Sequence, residues 1–239
     1  EGKGKKFALH KLIAAAQTEY VWLQDDDVML PETDWQDTKN LTADLYILPL
    51  RMCAEGHEPN LLESLQIAEY AAIQQLTVET ARRGHAVMCS GANLIVKRER
   101  WLESYADLHE EIPSGDDMFL LESFKRRGLK IEVLDDEQLT ACISPISNWS
   151  DFLKQRMRWA GKAPKYQDKD IIRCGMLVLL ANLLQIVCPA VLLIKFPIEY
   201  TLIKKRDASV SLWVALLLEI VYPFYMLICL IGGLFRRQW

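Results

Sequence analysis

An α/β sheet domain followed by two long apolar helices is the fold class this sequence predicts, and three observations predict it. Short β-prone runs alternate with helical patterns as far as residue 160. The apolar residues then gather into "CGMLVLLANLLQIVCPAVLLI" (174–194) and "VSLWVALLLEIVYPFYMLICLIGGLF" (210–235), each near the roughly 20 residues a helix needs to cross a bilayer. No repeat, low-complexity tract or Gly/Ser linker interrupts the first part, which reads as one unit. The predicted organisation is a domain over 1–160, a juxtamembrane linker over 161–173 and a membrane region over 174–235, with helices at 174–194 and 210–235. Buried core helices would also be apolar, but two such runs in tandem, flanked by Lys and Arg, favour spans. With 239 residues, 51% of them hydrophobic, the chain can bury a sizeable core.

In chain order, "KKFALHKLIAAAQTE" from Lys5 places Phe7, Ala8, Leu12, Ala15 and Ala16 near helical spacing, and "YVWLQ" (20–24) is a β-prone run ending in acid. "ADLYILPL" (43–50) is another strand. "LLESLQIAEYAAIQQLTVETARRG" from Leu61 is a long helix with Arg82, Arg83 and Gly84 as stop signals. "AVMCSGANLIVK" is strand-like around a Ser-Gly-Ala-Asn turn, a helix begins at Asp116, and "LKIEVL" (129–134) is a short strand. "DFLKQRMRWAGK" from Asp151 is helical, with Asn148, Ser150 or Asp151 able to cap it.

Composition excludes some functions. A net charge of −4, with no basic run longer than "KKR" (204–206), argues against nucleic acid as a partner. The six cysteines (Cys53, Cys89, Cys142, Cys174, Cys188, Cys229) form no C-x-x-C pair and have no neighbouring His at metal-ligand spacing. Neither a zinc site nor a disulfide framework is suggested, and reduced thiols in a cytosol-facing domain are expected. Asn40-Leu41-Thr42 and Asn148-Trp149-Ser150 match the glycosylation pattern, which is too short to carry weight by itself. The chain begins at Glu1 with no signal-peptide pattern, as a fragment would.

Three motifs carry chemistry. Asp25 and Asp27 follow "YVWLQ", and ligands bind at the carboxyl ends of strands in α/β sheets. Hard oxygens at i and i+2 suit Mg2+ or Mn2+ with positions left for water and phosphate; a solvated loop or a helix cap would also place acids there. "SGDDMFLL" sets Asp116 and Asp117 just before an apolar helix, where capping is the plainer reading. "QRMRW" puts Gln155, Arg158 and Trp159 on one helical face, where Arg can clamp phosphate and Trp can stack on a sugar, although a helix resting on a membrane interface welcomes the same residues.

The ordered set "GKKFAL", D-x-D after a strand, "SGAN", "GDD-x-x-L" and Q-x-x-R-W before apolar helices resembles the glycosyltransferase family 2 enzymes, the group of cellulose, chitin and hyaluronan synthases and many single-sugar transferases. The resemblance runs from Gly4 to Lys162. It implies a GT-A-type nucleotide-sugar-binding sheet and an inverting transfer. Asp25 and Asp27 match the D-x-D that binds the metal (Mg2+ or Mn2+) and the donor diphosphate, with Asp26 in its variable middle. Lys5 matches the lysine near the nucleotide, and Arg158 lies with the diphosphate. Gly91, Ala92 and Asn93 match the turn lining the acceptor side, where Gln155, Trp159 and Asp116 also belong; many members carry Glu at the position of Asp116. Asp117 matches the general base.

The expected partners are a nucleotide-diphosphate sugar, a UDP-sugar first among them, a lipid-linked or growing glycan acceptor, and membrane lipids. The expected location is the inner cell membrane, multi-pass, with the catalytic domain and the tail "FRRQW" in the cytoplasm. The family's first strands, which bind the nucleotide base, have no counterpart before Gly4, so the chain is expected to be N-terminally truncated and to bind nucleotide poorly by itself. Two spans are few for a polymer channel, which favours single-sugar transfer or a partner-dependent synthase. A non-catalytic membrane scaffold or transport component is the alternative, with Asn182, Gln185 and Glu219 marking a pathway if they do not simply bond helix to helix.

Overall fold

Leu45 and Ile47 turn to one side of a sheet and Tyr46 and Leu48 to the other, and both sides are buried. That pattern, a strand apolar at every position, marks a sheet covered on its two faces. The computed structural model describes residues 4–30, 40–112 and 114–235. Its larger sheet has four strands in the order β1 (Tyr20–Gln24), β5 (Asn93–Lys97), β3 (Leu45–Ile47) and β6 (Ile131–Val133). β5 runs antiparallel to both neighbours, and β3 runs parallel to β6.

One face of this sheet meets α1 (Lys5–Ala15), α3 (Arg98–Ser104) and α4 (Asp116–Arg126) through a core of Leu94, Val96, Trp101, Phe119, Leu120 and Phe124. A core side chain of this size contributes about 1.5–3 kcal/mol when withdrawn from water. A second, three-stranded sheet joins β2 (Val28–Met29), β7 (Ala141–Ile143) and β4 (Leu50–Met52), with β7 antiparallel to β2 and parallel to β4.

The run 43–50 therefore does not form one strand. Pro49 has no N–H to give to a ladder, and the chain leaves the first sheet there and enters the second as β4. The alternation of strand and helix was legible, but β2, β7 and α3 are too short to show a period.

The long helix α2 (Leu61–Arg82) has the bounds expected. Asn60 accepts from the Glu63 N–H at 3.0 Å, the Glu63 carboxylate accepts from the Asn60 N–H at 2.8 Å, and Gly84 follows the helix at positive φ. Tyr70 on this helix packs on the small sheet with Leu50 and Met52. α5 (Trp149–Ala160) is capped by Asn148, which accepts from the Asp151 N–H at 2.9 Å.

The apolar third of the chain differs from the expectation of two helices. α6 (Lys169–Val187) stops at Cys188 because Pro189 breaks the ladder and forces its predecessor out of the helical region. Helix α7 (Leu192–Arg206) then runs back, and α8 (Leu212–Phe235) follows. The segment 174–194 is thus a helix, a break and the start of another helix, while the linker 161–173 is shortened by the start of α6. Both ends of the α6–α7 pair are tied to the sheet domain. Lys125 of α4 holds Asp168 at 2.6 Å and Asp170 at 2.9 Å, and Arg206 and Lys205 reach Asp135 and Glu79 at 2.5 and 3.2 Å. Of the tail "FRRQW", everything after Phe235 lies outside the described residues.

A second correction concerns thiols. Cys53 and Cys142 form a disulfide, with Cα atoms 5.8 Å apart, although 89 residues separate them. The parallel pairing of β4 with β7 sets Arg51 opposite Cys142 and so brings Cys53 alongside, a juxtaposition that no spacing in the sequence reveals. Cys89, Cys174, Cys188 and Cys229 are free thiols, as expected.

Helix α8 lies on the domain through α2 and α5. A Cβ placed on Gly233 would come within 2.8 Å of the Gly161 nitrogen and 2.9 Å of the Met157 carbonyl oxygen, so the two backbones touch at that crossing. Gly233→Val is expected to lower stability by about 1–3 kcal/mol through overpacking. A thermal melt of the detergent-solubilised protein checks this, and an unchanged midpoint would contradict the backbone contact.

Candidate active site

Where β1 ends, Asp25, Asp26 and Asp27 form the turn that carries the chain from one sheet to the other, closed by the Val28 N–H to the Asp25 carbonyl at 3.3 Å. Asp25 is half-buried, while Asp26 and Asp27 are exposed. Lys5, the first residue of α1, pairs with the Asp25 carboxylate, and its Nζ lies 3.9 Å from Oδ2 of Asp116. Burial opposes the charge on Lys5, but Asp116 and Asp25 outweigh it and raise its pKa.

The neighbouring Lys6 turns inward and donates to the carbonyls of Leu108, His109 and Ile112 at 2.5–2.8 Å. That buried ammonium fastens α1 to the loop leading into "SGDD". Sequence reading missed Lys6, and nothing in a Lys-Lys pair says which of the two points inward.

Gly115, at φ +84°, adopts a left-handed conformation that disfavours other residues. A Cβ there would stand 3.1 Å from Cδ of Lys162, so the same glycine also makes room for that side chain. Asp116 and Asp117 then open α4. Oδ1 of Asp117 accepts from the Met118 N–H at 2.8 Å, and Oδ2 accepts from the Gly91 N–H at 3.3 Å. Burial, followed by the charge of Asp116, raises the pKa of Asp117 above the ordinary carboxylate range, while Lys162 and the two N–H groups work the other way.

Gly91, Ala92 and Asn93 take three different places. Gly91 approaches both acids, with an added Cβ falling 3.6 Å from Oδ2 of Asp116 and 3.8 Å from Cβ of Asp117. Ala92 is packed in the small core with Leu50 and Tyr70. The buried Asn93 amide donates to the carbonyls of Pro49 and Leu139 at 2.8 Å each and accepts from the Trp22 indole N–H, which stitches the two sheets together.

From the other side comes α5. Arg158 and Trp159 are exposed and Gln155 is half-buried. Lys162, one turn beyond Arg158, is 8% exposed. Burial lowers the pKa of Lys162, partly offset by Asp117 and Asp116, and Arg158 and Lys5 lower it further. Sequence reading missed Lys162, although its i+4 spacing from Arg158 was a signal for it. The structure thus gathers Lys5 and Lys162 with Asp25, Asp116 and Asp117, and the charge of Arg158 is felt at Lys162. Asp27 is exposed in the turn after β1, and Gln155 and Trp159 stand on α5, where both meet Arg156. Among the described residues no three His, Cys, Asp or Glu side chains gather to enclose a metal. The D-x-D turn offers two carboxylates, the donor set of a cation that shares its coordination with water and phosphate.

Such an arrangement can hold a polyanion against Lys5 and Lys162 while a half-buried carboxylate accepts a proton beside it. The family described as glycosyl transferase family group 2 matches residues 21–232, which takes in the D-x-D turn, the Gly91 turn, both helices of the site and the apolar helices, and leaves out Lys5. No curated protein matches the chain.

Because its pKa is raised in the fold, ionising Asp117 costs more there than in the unfolded chain. Its contribution to stability is present below the unfolded pKa and is lost as pH rises through the folded one. Asp117→Asn is therefore expected to raise the melting temperature at pH 8, with the gain shrinking as pH falls through the carboxylate range. A set of melts from pH 4 to 8 checks this; a gain that grows toward acid would contradict the direction of the shift.

Proposed function

Because the chain belongs to glycosyl transferase family group 2, we propose that it is a membrane-anchored, inverting transferase of GT-A type. It moves a sugar from a nucleotide-diphosphate donor, a UDP-sugar, to a lipid-linked or growing glycan acceptor. The observation that supports this most is the half-buried Asp117 set beside Asp116 with Lys162 and Lys5 close by.

In this reading Asp117 takes the proton of the acceptor hydroxyl as that oxygen bonds to the anomeric carbon. The bond from that carbon to the diphosphate breaks on the opposite face, which inverts the centre. Lys5, Arg158 and Lys162 offset the charge that develops on the diphosphate. Asp25 and Asp27 would hold Mg2+ or Mn2+, and the bound ion supplies further neutralisation of the leaving group. Gln155, Trp159, Gly91 and Asp116 bound the acceptor side.

Two helices, Lys169–Val187 and Leu212–Phe235, are long and apolar enough to cross a membrane. Their outward faces carry Leu177, Val187, Trp213 and Phe224, all strongly exposed, which favours a lipid surrounding. Of the polar residues among them, Asn182 donates to the Val178 carbonyl of its own helix, and Gln185 and Glu219 bond helix to helix. Gln185 donates to the Glu219 carbonyl at 2.7 Å, and Glu219 pairs with Lys195, which supports packing over a transport pathway.

The full-length protein, given Mn2+ and a panel of labelled nucleotide sugars, is expected to release nucleoside diphosphate. Asp27→Asn should lower that rate by about 10²-fold or more. Asp117→Asn should lower turnover while nucleotide affinity stays near wild type. Wild-type rates in Asp117→Asn, or a collapse of nucleotide binding there, would sink the role of base.

Orientation has its own test. The ion-paired end of α7 keeps Lys204, Lys205 and Arg206 on the side of the sheet domain, which suits a cytoplasmic domain. The Cys53–Cys142 bridge pulls the other way, since disulfides are rare in a reducing cytosol. With the free cysteines replaced by serine, Ser209→Cys is expected to resist a membrane-impermeant maleimide applied to intact cells. Rapid labelling from outside would reverse the orientation.

A further inference from the structure

The run Gln155-Arg156-Met157-Arg158-Trp159 contains one charged residue to which the proposed reaction gives no role. Arg156 is 5% exposed and points away from the diphosphate pocket. Its Nη2 donates to Oε2 of Glu69 on α2 at 2.6 Å, and its Nη1 donates to Oε1 of Gln155 at 3.2 Å. The guanidinium carbon stands 4.3 Å from the centre of the Trp159 ring and 5.0 Å from that of Phe152. Glu69 is itself buried, and its other oxygen accepts from the Tyr225 hydroxyl of α8.

A buried ion pair is a poor source of stability, because withdrawing two charges from water offsets most of their attraction. Apolar residues of the same volume would hold α2, α5 and α8 together as well. What the pair supplies is direction. A planar guanidinium fixed by a carboxylate has its remaining edge and its face determined, and here the edge meets Gln155 and the face meets Trp159. Those are the two residues of the run that the functional reading sets on the acceptor side.

We propose that Arg156 is a positioning residue for acceptor binding: held by Glu69, it fixes the Gln155 amide and the Trp159 indole, and Tyr225 ties the apolar helix α8 to the same carboxylate. The inference rests on the acceptor-side reading of Gln155 and Trp159, but the clamp itself does not depend on it. Displacing α8 relative to α2 would act on Glu69 first, then on Arg156, and through it on the acceptor residues. Donor contacts at Lys5, Asp25 and Lys162 would stay as they are.

The test uses the full chain in lipid nanodiscs, with Glu69→Gln, Arg156→Lys and Tyr225→Phe. Hydroxyl-radical footprinting with mass spectrometry reads the exposure of Trp159, and Trp149, on the first turn of the same helix, is the control. In Glu69→Gln, labelling of Trp159 is expected to rise about twofold or more while Trp149 stays constant, because a freed Arg side chain uncovers the ring. The acceptor KM is expected to rise roughly tenfold, with donor hydrolysis in the absence of acceptor unchanged. Arg156→Lys should behave alike, since a point charge cannot replace the fork, and Tyr225→Phe should shift both readouts less in the same direction. If Glu69→Gln does not fold, Tyr225→Phe carries the test. Constant labelling of Trp159, an equal rise at Trp149, or donor hydrolysis falling as far as transfer would each overturn the proposal. A full-length wild-type protein that turns over no nucleotide sugar would instead refute the transferase reading, and the footprint would still decide the clamp.

Discussion

Carboxylates drawn into one pocket repel, and the site depends on how that repulsion is met. Asp25 comes from the end of β1 and Asp116 and Asp117 from the start of α4, and the fold brings them together by packing α1 and α4 on one face of the sheet. Lys5 stands between Asp25 and Asp116, Lys162 enters over Gly115, and two N–H groups meet the Asp117 oxygens. Each compensating group belongs to a different element. The pocket is therefore complete only when α1, α4, α5 and the Gly91 turn are all in place. In the proposed reaction Lys5 and Lys162 meet the donor diphosphate while the clustered acids keep those two cations ordered.

The apolar helices connect to this pocket at two points. The N-terminus of α6 is held by Lys125 at the far end of α4, whose first residues are Asp116 and Asp117. The C-terminal part of α8 lies on α5 through Gly233 and Gly161. Both helices of the site are thus braced against the segment that is apolar enough to enter a membrane, and a displacement of that segment would be felt at Asp117 and at Trp159.

Much of this was legible in the sequence, and the exceptions have physical causes. The end of α2 followed from local signals, Arg82, Arg83 and a terminal glycine, which act within a few residues, while the Asn60–Glu63 capping box at its start went unread. The D-x-D turn and the Asp117 helix were legible for the same reason. Pairings between distant segments were not: the disulfide needed the β4–β7 register, and the inward turn of Lys6 needed the loop at 108–112. Cys188-Pro189 was a local signal outweighed by hydropathy, since length and apolar content cannot tell one helix from a helix that breaks and returns. Asn93 shows a further difficulty. A polar residue in a functional turn invites a binding role, yet its amide is engaged by Pro49, Leu139 and Trp22 in joining the sheets.

The central claim is that Lys5 and Lys162 make the acid pocket a diphosphate site. Calorimetric titration of the chain with UDP and Mn2+ measures it most directly, comparing wild type with a Lys5→Ala, Lys162→Ala double variant. The account predicts that the wild type binds through its diphosphate contacts, with other nucleoside diphosphates binding about as well, and that the variant loses most of that affinity. Equal affinity in the two proteins would contradict it.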